Sequence, residues 1–166
     1  MIEENKMIFK KKKAEEKFLD SSLGKLIRKN DWVTEKVFTW EVFNQRYEFF
    51  IYLAYTDEEN INPEQSEAIL FLLKNYTDLQ SRSEKLLLDF FNCEEGFDLS
   101  DKITIEDLNI TAKGEIVLSV NSSFGDEFLN SNIPDNIIFD DCFGVLIYPK
   151  EKILPNEKEL YRLLIN

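Results

Sequence analysis

The side chains with the means to do chemistry in this sequence are carboxylates and two thiols. Acids stand side by side at Glu94-Glu95, Glu106-Asp107, Asp126-Glu127 and Asp140-Asp141. Paired carboxylates can share a proton for acid–base work or hold a divalent cation. Successive residues of an extended strand point to opposite faces, so none of these pairs is by itself a ready site. No EF-hand spacing is present, and solvated surface charge is the stronger reading of the pairs. Cys93 is followed by Glu94-Glu95, and Cys142 is preceded by Asp140-Asp141. A reactive thiolate needs a neighbouring base or cation. Flanking acids raise a thiol pKa instead, so both cysteines read as poor nucleophiles. The chain contains no histidine. That removes Ser-His-Asp and Cys-His triads, an imidazole base and imidazole metal ligands. Its five glycines form neither a GxGxxG nor a P-loop. The expectation is no catalytic residue, no cofactor and no metal.

Charge is the more informative property. Thirty-two acids against twenty bases leave a net charge of −12. Such a surface repels nucleic acid and anionic membranes, and it suits a basic protein partner. The acids gather in two stretches. Residues 89–107 carry seven acids and one base, Lys102, and residues 126–141 carry five acids and no base. The candidate partner-binding residues are therefore Glu94, Glu95, Asp98, Asp101, Asp126, Glu127, Asp140 and Asp141, set against plain solubility charge as the competing reading. No apolar run reaches the length of a membrane span, and Met1-Ile2-Glu3-Glu4-Asn5 lacks the order of a secretory signal. Cytoplasmic residence with free, buried cysteines is expected. Four consecutive lysines, Lys10 to Lys13, read as a solvated arm rather than an anion site.

These residues need a scaffold. Pro63 to Phe91 carries a seam at Ile69, Leu72, Tyr76, Leu79, Ser83, Leu86 and Phe90, in alternating steps of three and four. That spacing predicts one long helix, opened by Asn62, Pro63 and Gln65 and kinked near Thr77 to Ser81. Around it the chain reads as strands. Leu23 to Arg28 is a short strand, and Val37 to Tyr55 is a hairpin turning at Asn44-Gln45. Tyr47, Phe49, Ile51 and Leu53 share one face of its second strand. Asn92 to Lys102 is a loop. Lys113-Gly114 joins Leu108–Thr111 to Glu115–Asn121 in a second hairpin. Ser122 to Ile133 is a long loop whose Phe124, Phe128 and Leu129 tuck onto the core. Ile137–Phe139 and Phe143–Tyr148 are β-prone, and Pro149 ends the second. Asn156 to Ile165 is a short capped helix or a terminal strand. The expected fold is α+β: residues 1–20 as a charged arm or helix, and residues 21–166 as one domain. Its sheet is a mainly antiparallel meander of five or six strands with the long helix across one face.

The order of these landmarks resembles a family of small, uncharacterised bacterial proteins with immunity-protein-like members coded beside polymorphic toxins. The resemblance rests on Leu23-Gly24-Lys25-Leu26, the Trp40 strand and its partner, Pro63-Glu64-Gln65-Ser66-Glu67-Ala68, the Lys113-Gly114 turn and the Phe139-Asp140-Asp141 approach to the last apolar strand. Relatives tend to carry Phe-Gly-x-His at that last point, where this chain has Phe139-Asp140-Asp141-Cys142. The resemblance implies a β-meander with a packed helix and no established catalysis. Together with the acidity it points to a cytoplasmic binding protein that occludes a toxin. The alternative is a small-ligand-binding domain or carboxylate-based enzyme with a pocket between sheet and helix.

Overall fold

One parallel pair of strands dictates the layout. In the computed structural model, which describes residues 17–56 and 59–166, the elements run in this order. First come β1 (Phe18–Ser21), β2 (Gly24–Arg28), β3 (Trp32–Thr34), β4 (Phe38–Val42), β5 (Gln45–Phe49) and β6 (Ile51–Leu53). Helices α1 (Pro63–Lys74) and α2 (Tyr76–Phe90) follow. The rest is β7 (Ile103–Ile110), β8 (Ile116–Ser122), α3 (Asp126–Asn132), β9 (Cys142–Tyr148), β10 (Lys152–Leu154) and α4 (Glu157–Leu164). Eight strands form one sheet, β1-β2-β3-β6-β7-β8-β9-β10, and β4-β5 stand apart as a two-stranded sheet. Every neighbouring pair is antiparallel except β6 and β7, which run parallel. A parallel pair cannot be closed by a tight turn and requires a crossover. Helices α1 and α2 are that crossover. The fold is α+β, but its main sheet is mixed: two antiparallel meanders joined by one parallel step, with more strands than the five or six expected.

The single long helix is also corrected. It is two helices, broken at Asn75 (φ −112°, ψ 16°). The backbone ladder survives on both sides, with Asn75 N–H on Phe71 O and Leu79 N–H on Asn75 O. The Asn75 side-chain amide donates to the same Phe71 carbonyl at 2.9 Å. A short amide that competes for backbone partners favours such a break. It falls two residues before the stretch where a kink was expected. The start is as expected. Asn62 Oδ1 accepts from Gln65 N–H at 2.7 Å, and Gln65 Oε1 accepts from Asn62 N–H at 3.3 Å. Asn62 Nδ2 then donates to Ala112 O at 2.7 Å, tying the helix to the β7–β8 turn. In that turn Gly114 has φ +77°, and an added Cβ would lie 2.4 Å from Glu64 O. Glycine is needed there for conformation and for space.

The Val37–Tyr55 hairpin forms, but it is shorter than expected. Phe43 and Asn44, at φ 52° and 56°, make the turn one residue early. Two successive left-handed residues suit a two-residue hairpin loop. The return strand ends at Phe49, and Ile51–Leu53 leave to join the main sheet. Tyr47, Phe49, Ile51 and Leu53 are all buried. The outer rim of β4 meets α2. Tyr76 donates its hydroxyl to Thr39 O. Gln80 Oε1 accepts from Glu41 N–H, and Glu84 Oε2 accepts from Phe43 N–H. Trp40, fully buried, donates its indole N–H to Ser83 Oγ at 3.2 Å. Positions 76, 80, 83 and 84 share one helix face, so the seam that read as packing also carries hydrogen bonds.

The principal core lies between α1–α2 and one face of the sheet, where Ile105, Leu108, Leu118, Val120, Phe143 and Val145 meet Ala68, Ile69, Leu72 and Leu79. Alternation puts Val117, Leu146 and Leu154 on the other face, under Leu160 of α4. The terminal segment is thus the helix of the two options, with Asn156 Oδ1 accepting from Glu159 N–H. Gly144 admits the helix, because a Cβ there would lie 2.8 Å from Leu160 Cδ1. Three local expectations change. The 122–133 loop contains α3, Ile137–Phe139 forms no strand, and Lys152–Leu154 adds one. Lys10–Lys13 and most of the expected arm lie outside the described residues, while Phe18–Asp20 belong to β1.

Candidate functional site

All eight acids singled out in the sequence lie at one end of the sheet. Strand β7 begins, β8 ends and β9 begins there, since Ile103 pairs with Ser122 and Asn121 with Cys142. The loop 92–102 enters at this end. Residues 123–141, including α3, bridge β8 to β9 across it. Backbone bonds knit the segments, Ser123 N–H to Lys102 O at 2.9 Å and Ser122 N–H to Asp141 O at 2.8 Å. Glu94, Glu95, Asp98, Asp101, Asp126, Glu127 and Asp141 are exposed, and Asp140 is half-buried. Some have local work. Asp98 accepts from Ser100 N–H at 2.8 Å, and hydrogen bonds from Ser100 lower its pKa. Asp140 Oδ2 accepts from Glu157 N–H, helping to start α4. Asp126 and Glu127 occupy the first turn of α3, where unpaired N–H groups favour negative charge. Both ion pairs among the described residues belong to Arg82, on Asp78 and Glu151, and neither involves these acids.

Beneath the acids is a floor of phenylalanines. Phe91 lies 4.5 Å from Phe124 and 5.6 Å from Phe139, centroid to centroid, and Phe124 stacks on Phe128 at 4.7 Å. Phe124, Phe128 and Leu129 therefore tuck inward as their positions in a polar segment suggested. Two apolar side chains instead emerge among the carboxylates, Phe97 (48% exposed) and Ile138 (75% exposed).

The Glu106-Asp107 pair departs from the alternation argument. The β7–β8 register shifts between Ile105 and Asp107, leaving Glu106 as an extra residue. Such a bulge resets the alternation, so both carboxylates face the side away from the main core. Asn109 donates its amide to Asp107, and Asn121 donates to Glu106. Burial raises the Asp107 pKa; hydrogen bonds from Ser119 and Asn109 oppose the rise, and nearby Glu106 adds to it. The Cys142 thiol is raised by burial first and then by Glu157, Asp107, Glu106 and Asp140. Burial also raises Cys93. The arrangement holds protons on sulfur and does not activate a nucleophile. Among the described residues no group of three acid or thiol side chains is placed to hold a metal ion. No helix among them is long and apolar enough to cross a membrane.

No family model, curated protein or solved structure matches this chain.

The opposite end of the sheet is built differently. The carboxyl ends of β6 and β7 open into a cleft of about 740 Å³ between Tyr55, Thr111 and Ala112 on one side and Tyr161, Leu164 and Ile165 on the other. It runs beside α4 rather than beneath α1–α2, and among the described residues Asp31 is the one side-chain carboxylate in its lining. Next to it, Arg28 at the end of β2 lies over the Tyr55 ring and 5.9 Å from the Trp32 ring centroid. Trp32 is 4% exposed, and its indole N–H finds no acceptor among the described residues. A buried donor left without a partner costs about 1–3 kcal/mol. Sequence reasoning passed over this group. The available signal was an Arg28–Trp32 spacing across a two-strand turn, with Tyr55 entering only through the segment after β6.

Proposed function

We propose that this chain is a binding protein that neutralises a basic protein partner by covering it with the acidic end of the sheet, as an immunity protein covers its toxin. The observation that carries the reading is the convergence of eight carboxylates from separate loops onto one end, around exposed Phe97 and Ile138. Complementary charge steers encounter and fixes register, while apolar anchors at the centre of a contact supply most of the affinity. A rigid phenylalanine floor lets the loops meet a partner with little reordering. Toxins that act on nucleic acid carry the basic face such a surface suits. The resemblance of the sequence landmarks to immunity-like bacterial proteins supports the same reading, as does a chain without histidine. In this reading the protein works in the bacterial cytoplasm, as a stoichiometric binder and not as an enzyme.

The test is co-purification with the product of an adjacent toxin gene, followed by association kinetics. A one-to-one complex whose on-rate falls as salt rises is expected. Replacing Glu94, Glu95, Asp98 and Asp101 with Gln or Asn should slow association at least tenfold, and Phe97→Ala should speed dissociation. Absence of any tight complex with that product would remove the immunity reading.

A further inference from the structure

Helix α1 carries apolar residues on two sides. Ala68, Ile69 and Leu72 are buried against the sheet, whereas Leu70 is 61% exposed and Leu73 is 39% exposed. A lone surface leucine needs no explanation. Two at a spacing of three are neighbours on the outer surface and make an apolar ridge. Half-buried Phe71 borders it, packed on Tyr148 at 4.3 Å between ring centroids. Charges bracket the ridge. Glu67, Leu70 and Lys74 follow steps of three and four, so they form one row along the helix. Glu67 and Lys74 are exposed, and neither makes an ion pair among the described residues.

We infer that this outer face of α1 is a homodimer contact, in which α1 of a second copy packs antiparallel across Leu70. The order of the charges selects that occupant. About a two-fold axis at Leu70, Glu67 of one copy lies beside Lys74 of the other, and the reciprocal pair forms on the far side of the axis. Such a contact is isologous: one patch serves both copies, and the assembly closes at two. Parallel packing would set Glu67 against Glu67 and Lys74 against Lys74, which repels. Antiparallel packing also brings opposite helix-dipole ends together. Leu70 and Leu73 of both copies interdigitate at the centre, and the charged pairs form the rim. One helix face from each copy buries less than the roughly 1,200 Å² of a standard interface. A net charge of −12 on each copy also opposes approach. The dimer is therefore weak, and it forms and dissociates with concentration. It uses none of the eight acids at the end of the sheet.

Sedimentation velocity of the full chain, from about 10 μM to about 1 mM, reads the assembly. A reversible rise from the monomer to the dimer value is expected. Leu70→Glu should weaken association at least tenfold with an unchanged circular dichroism spectrum. Glu67→Lys should weaken it at least threefold, although this change reduces the overall repulsion between copies, so a net-charge effect would have the opposite sign. Adding Lys74→Glu to that variant restores the complementary order and should bring association back to within twofold of the original chain. A monomer throughout the range, growth beyond two copies, a dimer that survives Leu70→Glu, or a double variant no tighter than Glu67→Lys alone each overturns the proposal. Capture of a basic partner by the acidic end needs none of these residues, so either proposal can fail alone.

Discussion

The two ends of the sheet solve opposite problems. At the acidic end the interior is complete. Phe91, Phe124, Phe139 and Phe143 pack on one another, and the ionised groups stay in water. At the other end the interior holds a polar group with no partner among the described residues, the Trp32 indole. Trp40, in the separate β4–β5 pair, shows what satisfaction looks like: the same side chain, also buried, with Ser83 supplied from α2. Charge without an unmet interior need suits association with a large partner.

Substitutions can break or sharpen this contrast. The largest effect is expected from Phe91→Ala, which empties the centre of the phenylalanine floor and should cost about 3–5 kcal/mol in denaturant unfolding. If it costs under about 1 kcal/mol, the acidic end does not rest on a packed base. Gly114→Ala comes next, at about 2–4 kcal/mol, because it combines left-handed strain with a clash on Glu64 O. The tryptophans give the sharpest comparison. Trp40→Phe should destabilise by about 2–3 kcal/mol, since it vacates core volume and removes the indole hydrogen bond to Ser83, whose hydroxyl still donates to Gln80 O. Trp32→Phe should cost less than half as much, because it also deletes an unpartnered donor. Equal losses by urea titration would erase the distinction between the two rings. Neutralising Glu94, Glu95, Asp98 and Asp101 should move stability least, leaving the urea midpoint essentially unchanged.

A pH series separates charge that costs stability from charge that does not. The Asp107 carboxyl has its folded pKa raised above the unfolded value. The folded state then binds more protons, so this group's contribution to stability falls as pH climbs from about 3.9 through the folded value. Asp107→Asn should flatten that part of the curve and stabilise the chain near neutrality relative to acid. An unchanged slope between pH 4 and 7 would mean that Asp107 is solvated.

What the sequence revealed follows from the range of each interaction. The Asn62–Gln65 cap, the Lys113-Gly114 turn and the Asn156 cap are contacts within four residues, and they were legible. So was the inward face of Tyr47, Phe49, Ile51 and Leu53, because strand periodicity is local. The parallel β6–β7 step was not, because it pairs Leu53 with Ile110 across the whole crossover. Nor was the bulge at Glu106, which exists only in register with β8. The acids were readable as two dense stretches, but their meeting at one end depends on strand direction. Arg28 and Trp32 come from β2 and β3 and Tyr55 from the segment after β6, and no single window of sequence holds all three.

The rim of β4 has a further consequence. Exposed backbone at the margin of a small sheet is a template on which another chain can add a strand, and short hairpins are prone to such growth. Here Thr39 O and the N–H groups of Glu41 and Phe43 are already taken by Tyr76, Gln80 and Glu84. Helix side chains thus stand in for the missing neighbour. Weakening them, for instance with Gln80→Ala and Glu84→Ala together, would unmask a self-complementary margin and favour fibrillar assembly over discrete molecules.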